Sequence, residues 1–233
     1  MNIYFLVEGE AELGVYPNWI NFLLDSKLTR CYAYNEVVNN QYFIFNAGGF
    51  GKMVHHSIRN AAEEITANPV FDWFVVIVDA DDQAVQDRRA RLETVFADDS
   101  FPTLPANCQC KIIVQNRCFE TWLCGHKEAF MLAQISQNAN IQRFINHYNV
   151  STHDPELMLK DTDPRFASWT LAKYHGNYLT HILLPNRYNK GTAHKLIDTA
   201  YLETLHERLA QSPTHLTTLA EMLAFFKAIN LLL

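Results

Sequence analysis

Trp73-Phe74-Val75-Val76-Ile77-Val78-Asp79-Ala80-Asp81-Asp82 is the run on which the fold turns. Six apolar residues stand in a row, without the alternation of a strand that has one wet face, so the run reads as a strand buried on both sides. It stops abruptly at three aspartates, and Gln83 to Ala97 then has helical composition. Strand followed directly by helix is the unit of a parallel sheet, whose ligands gather at the carboxyl ends of the strands.

The same grammar recurs on either side. Ile3 to Val7 is a short apolar run ending in Glu8-Gly9. After it Leu13, Tyr16, Ile20, Leu23 and Leu24 recur at helical spacing, with Pro17 either kinking that helix or marking its first regular turn. Lys111 to Val114 is another buried strand, and it leads into Phe119, Trp122 and Leu123 at helical spacing. Aromatic-rich runs at Tyr32 to Tyr34 and Tyr42 to Phe45 predict one or two further strands. Gly48-Gly49-Phe50-Gly51-Lys52 is a glycine-rich turn entering a helix to about Thr66, and it lacks the spacer and Lys-Ser/Thr ending of a Walker A loop.

Beyond about residue 126 helices dominate, the clearest at Gln142 to Tyr148, Leu196 to Leu209 and His215 to Leu232, with one short strand expected at Ile182 to Leu184. The expected class is α/β: a mostly parallel sheet flanked by helices, residues 1 to 125 forming a catalytic domain and residues 126 to 233 a helical region packed on it. The 233 residues are 48% hydrophobic and 19% charged, which describes a chain able to bury a core.

A net charge of −6 argues against coating many phosphates with a broad basic surface, yet it suits a carboxylate site that holds a cation. The opening MNIYFLVEGE has no signal-peptide pattern and no apolar run approaches the length that spans a bilayer, so the expected location is cytoplasmic and away from membranes. Cys31, Cys108, Cys110, Cys118 and Cys124 are then expected as reduced thiols. The spacing of the last four with His126 fits no paired zinc knuckle.

The Asp79-x-Asp81 spacing has a physical use. Where a strand runs out, residues i and i+2 project to the same side and can offer oxygens to one hard cation, Mg²⁺ above all, with Asp82 as an outer or second-metal ligand. The bland reading is a solvated turn in which Asp81 or Asp82 caps the next helix. Glu8 at a second strand end and Glu120 just past a third weigh against it, because carboxylates gathered at one sheet edge repel without a cation. Lys52, Arg88 and Arg117 are the candidates to touch a phosphate. Arg88, Arg89 and Arg91 also read as a solvated face paired with Asp87 and Glu93. Lys173, His175, Arg187, Lys190 and His194 form a looser basic group that reads equally as surface.

Val7-Glu8-Gly9-x-x-Glu12, Val76-Ile77-Val78-Asp79-Ala80-Asp81-Asp82 and Phe119-Glu120-x-Trp122-Leu123, in this order and each after a strand, resemble the TOPRIM (topoisomerase-primase) domain. The version is similar to the small RloB-like and OLD-type TOPRIM nucleases of anti-phage loci, and the likeness covers about residues 3 to 125. It implies metal-dependent phosphodiester chemistry in which Glu8 is the general acid/base and also stands near the metal, while Asp79 and Asp81 bind Mg²⁺, for which Mn²⁺ can substitute. Asp82, Glu12 and Glu120 are further acids of the set. The implied substrate is DNA or RNA, the implied companion a partner ATPase in anti-phage defence, and a homo-oligomer stays open.

Two other functions compete. The Asp-x-Asp could hold Mn²⁺ and the diphosphate in a nucleotide-sugar glycosyltransferase, which leaves Glu8-Gly9 unexplained. Alternatively the chain is a non-catalytic TOPRIM-like binding module whose acids are structural.

Overall fold

The computed structural model describes residues 1–128, 130, 137–183 and 188–233. Its centre is a sheet of five strands, β1 (Asn2–Val7), β2 (Thr29–Cys31), β3 (Gln41–Asn46), β4 (Trp73–Asp79) and β5 (Gln109–Gln115), in the order β2-β3-β1-β4-β5. Every pairing is parallel, so all carboxyl ends lie on one edge. The α/β class expected from the sequence is what the chain adopts, with a helical C-terminal part. Among the described residues no helix is long and apolar enough to cross a membrane.

The unbroken apolar runs have the cause inferred from them: both faces of β1 and β4 are covered. On one face Ile3, Phe5, Val7, Val75 and Ile77 share a core with Val15, Trp19 and Ile20 of α1 (Glu10–Leu23) and with residues of the helical half. On the other, Tyr4, Leu6, Phe74, Val76 and Val78 pack against α2 (Ile58–Ala67) and α3 (Val85–Phe96). Each such Val, Leu, Ile or Phe contributes roughly 1.5–3 kcal/mol by leaving water, so the strands closest to the site are also the best anchored.

Among the described residues after β5 are α4 (Phe119–Leu123), α5 (Ala139–His147), α6 (Leu171–Tyr178), α7 (Thr199–Gln211) and α8 (Thr217–Leu232). Leu202, Leu205, Leu219, Met222 and Phe226 of α7 and α8 belong to the core that covers the α1 face of the sheet. The two expected regions therefore share one core, and the sheet borrows its second cover from the C-terminal half.

Two local expectations are corrected and two open alternatives are decided. The strand placed at Tyr32 to Tyr34 is Thr29–Cys31 instead, followed by a 3₁₀ turn at Tyr34–Glu36. Tyr32 is 80% exposed with the Arg30 guanidinium over its ring, whereas Leu28 and Cys31 are the residues that turn inward, so burial overrode aromatic β-propensity. Of the strand expected at Ile182 to Leu184, Ile182 and Leu183 end a π-helical turn (Leu179–Leu183) that continues α6, and Leu184 lies outside the described residues. A short apolar run next to a helix has no periodicity of its own to tell the two apart. Finally, neither Asp81 nor Asp82 caps α3, whose N-cap residue is Ala84. Pro17 falls in the interior of α1 rather than its first turn.

Candidate active site

Because β1, β4 and β5 are neighbours in register, their ends bring three acids of distant sequence to one edge. Glu8 is fastened by two backbone donors: the Phe50 N–H gives to its Oε1 at 3.2 Å and the Asp79 N–H to its Oε2 at 3.0 Å. The glycine-rich turn supplies the first of these. Gly48 and Gly49 have φ of 76° and 102°, a backbone that side-chain-bearing residues rarely adopt, and the turn brings the Gly49 N–H to the Glu8 carbonyl as well.

After β4 the chain bends at Asp81, whose φ is 53°, and the bend is tied to the end of β5 by Ala80 N–H to the Gln115 carbonyl and Asp81 N–H to the Arg117 carbonyl. Asp82 then reaches the helical half, its Oδ1 accepting from the Leu171 N–H at the start of α6. Glu120 lies in the first turn of α4, 3% exposed, and its Oε1 accepts from the Tyr188 hydroxyl at 2.9 Å with the Lys190 ammonium 3.4 Å away. Glu12, one turn into α1, is 4% exposed.

The acids feel one another. Burial, followed by Glu120 and Glu8, pushes Glu12 up to about 7. Burial and then the charges of Glu12, Glu8, Glu120 and Asp81 raise Asp79 well above the carboxylate range. Burial raises Glu8, against its two backbone donors, and raises Asp81 against the pull of Arg88. Lys190 is held protonated by Glu120, against its own burial, with further help from Glu12 and Asp79.

Glu8, Asp79, Asp81 and Glu120 line a cavity of about 660 Å³, together with Cys118 and a second wall from the helical half that includes Lys173, Gly176, Asn177, Tyr188 and Lys190. Of the predicted acids these four thus come together; Glu12 is near enough to feel the charges of Glu120 and Glu8, and Asp82 does not line the cavity. The predicted phosphate contacts do not. Arg88 is 3% exposed, donates to Asp81 Oδ2 and to the Ala80 carbonyl at 3.0 Å each, and stacks 3.5 Å from the Phe50 ring centroid, so it fixes Asp81 rather than facing a substrate. Arg117, with φ of 69°, spends a guanidinium donor on the Gln83 carbonyl, and Lys52 stands exposed on the glycine-rich turn; neither lines the cavity. Arg89 pairs with Glu221 of α8, not with Asp87 or Glu93. Of the looser basic group, Lys173 and Lys190 line the cavity, His175 is fully buried and Arg187 lies outside the described residues. Tyr188 was not singled out from the sequence, and no local signal marks it, since its partner Glu120 is 68 residues away.

The donor set is all hard oxygen, which suits Mg²⁺ or Mn²⁺. One atom stands out: Asp79 Oδ1 is sealed from solvent with no hydrogen-bond partner among the described residues, as an oxygen left free for a cation would be. Among those residues no group of three His, Cys, Asp or Glu side chains is placed so that it could hold a metal ion, so a bound cation would draw on fewer side chains and on water or substrate oxygens. The five cysteines are free thiols, Cys118 and Cys124 buried beside α4. No family model matches the chain, nor does any curated protein or solved structure.

Proposed function

We propose that the protein is a Mg²⁺-dependent nuclease of the TOPRIM type its sequence resembles, hydrolysing phosphodiester bonds in DNA or RNA. The observation that carries this is the meeting of Glu8, Asp79, Asp81 and Glu120, at or just past three adjacent strand ends, in one cavity where Asp79 Oδ1 has no hydrogen-bond partner among the described residues. Burying repelling carboxylates at one edge lowers stability, and a divalent cation is the usual compensation.

Asp79 and Asp81 would hold the ion, with Mn²⁺ an acceptable substitute. A bound divalent cation neutralises charge developing on a phosphate and lowers the pKa of water beside it. Glu8, fixed by two backbone N–H groups at the cavity wall, is placed to take a proton from the attacking water or return one to the leaving oxygen. Arg88 sets the position of Asp81, and Tyr188 that of Glu120. A partner ATPase in an anti-phage setting belongs to the same proposal and would be found by co-purification.

The Arg88–Asp81 ion pair favours one rival, a binding module with structural acids. The two separate in a cleavage assay on plasmid, single-stranded DNA and tRNA in Mg²⁺, Mn²⁺ or EDTA. Metal-dependent cutting lost by about 10²–10⁴-fold in Glu8→Gln and Asp79→Asn supports the nuclease. Cutting that survives both substitutions refutes it, and Mg²⁺ binding without turnover on any substrate selects the module.

A further inference from the structure

The cavity has two unlike walls. One is the acidic sheet edge. The other comes from the helical half: Ala172, Lys173, Gly176, Asn177 and Thr180 of α6 and its continuation, with Lys190 beyond. Ala172, Gly176 and Thr180 are spaced four apart and so stand one above another on one helix face. A Cβ built on Gly176 would meet nothing within 4 Å, so the middle of this wall is open floor.

Lys173 and Lys190 are the cations among the described residues of the lining, and both keep their side chains in reach of solvent. The Lys173 ammonium lies 4.9 Å over the Trp169 ring, and Lys190 is tethered to Glu120 across the cavity. The acids facing them are recessed to different depths: Glu120 is 3% exposed, while the Asp81 side chain is 43% exposed. A phosphate has to enter the cavity to reach them, past two ammonium groups. The cavity, about 660 Å³, has room for a few nucleotide-sized groups of one strand but not for the cross-section of a duplex.

We propose that this helical wall is the substrate-binding wall, with Lys173 and Lys190 gripping the phosphate backbone of a single-stranded polynucleotide laid across the Gly176 floor. It rests on the proposed nuclease chemistry of the facing acids. The C-terminal half then supplies recognition, where the sheet supplies chemistry.

The test reads binding apart from cleavage: fluorescence anisotropy of labelled single-stranded DNA, single-stranded RNA and duplex DNA in EDTA and in Ca²⁺. Wild type is compared with Lys173→Glu, Gly176→Leu and Asp79→Asn. Reversing one phosphate-facing charge, or filling the floor, is expected to weaken single-strand binding about tenfold or more, more steeply at low salt for Lys173→Glu. In EDTA, where no cation bridges the acids to the phosphate, Asp79→Asn should bind at least as tightly as wild type. Lys173 is exposed and Gly176 has open space, so circular dichroism should show both variants folded. The two single-strand arms identify the sugar. The proposal is overturned if wild type binds no polynucleotide, if both wall variants bind as wild type does, or if duplex binds as tightly as single strand. Cleavage by Asp79→Asn at the wild-type rate would instead sink the chemistry of the acids.

Discussion

The two walls of the cavity are held in place by opposite means. At the sheet edge the frame is backbone: strand register, two N–H donors on Glu8, and the ties from Ala80 and Asp81 to the end of β5, with Arg88 and Tyr188 adding side-chain bonds to Asp81 and Glu120. In the helical half the positioning is done by buried polar side chains that clasp distant main chain. Arg208, 1% exposed, donates to the carbonyls of Gly125, Val150 and His153. Asp154 takes the Leu216 N–H, and Glu156 takes the N–H of Thr218 and the hydroxyls of Thr217 and Thr218 at the start of α8. Backbone register is enforced by every pair in a ladder, whereas a side-chain clasp depends on single residues. The helical wall is therefore the part that point substitutions should loosen most.

Arg208→Met tests this hardest. It leaves three buried carbonyls without their donor, and a loss of at least about 3 kcal/mol in urea unfolding is expected. A loss below 1 kcal/mol would mean that α7 is held by its apolar packing alone.

Acid gives a comparable effect. His175 on α6 is fully buried, and its Nε2 faces the Met158 carbonyl at 2.8 Å, which can only accept, so Nε2 carries the proton and Nδ1 accepts from the Thr121 hydroxyl at 2.9 Å. Burial lowers this imidazole to about 4. The unfolded chain takes up that proton near pH 6.5 and the native one only near 4, so the stability is full above 6.5 and falls as pH drops through the window, by about 3 kcal/mol in all. In His175→Gln this component of the pH dependence should vanish, and a slope equal to that of wild type would show that His175 is not its source.

On the sheet side the expected effect is smaller and opposite in sign. Asp79→Asn replaces a carboxyl whose ionisation burial and the neighbouring acids oppose with a group that needs no proton to be neutral, and should raise metal-free stability at neutral pH by about 1 kcal/mol. A decrease in thermal unfolding temperature would show that the cluster is not strained without a cation.

The same contrast governs what could be read from the sequence. The sheet was legible because a strand buried on both faces leaves an unbroken apolar run; the runs of β1 and β4 end in an acid, and Glu120 follows a few residues past β5. Glu8, Asp79, Asp81 and Glu120 were found this way and do line one cavity. Lys190 and Lys173 could be named only as a loose basic group, and Tyr188 not at all. Their place depends on how helices from the far end of the chain fold back onto the sheet, which no local pattern encodes. Arg88 misled for the opposite reason: its position after the Asp motif suggested a substrate contact, but Asp81, the Ala80 carbonyl and the Phe50 ring absorb it. An arginine beside an acid motif is as readily the acid's own support.

The central claim is that the acids at the carboxyl edge are a divalent-cation site. Isothermal titration of Mg²⁺ into wild type and Asp79→Asn tests it without any assumption about substrate. Saturable binding to wild type that is lost or weakened more than tenfold in the variant is the predicted result. Equal binding by both proteins, or none by wild type, would contradict it.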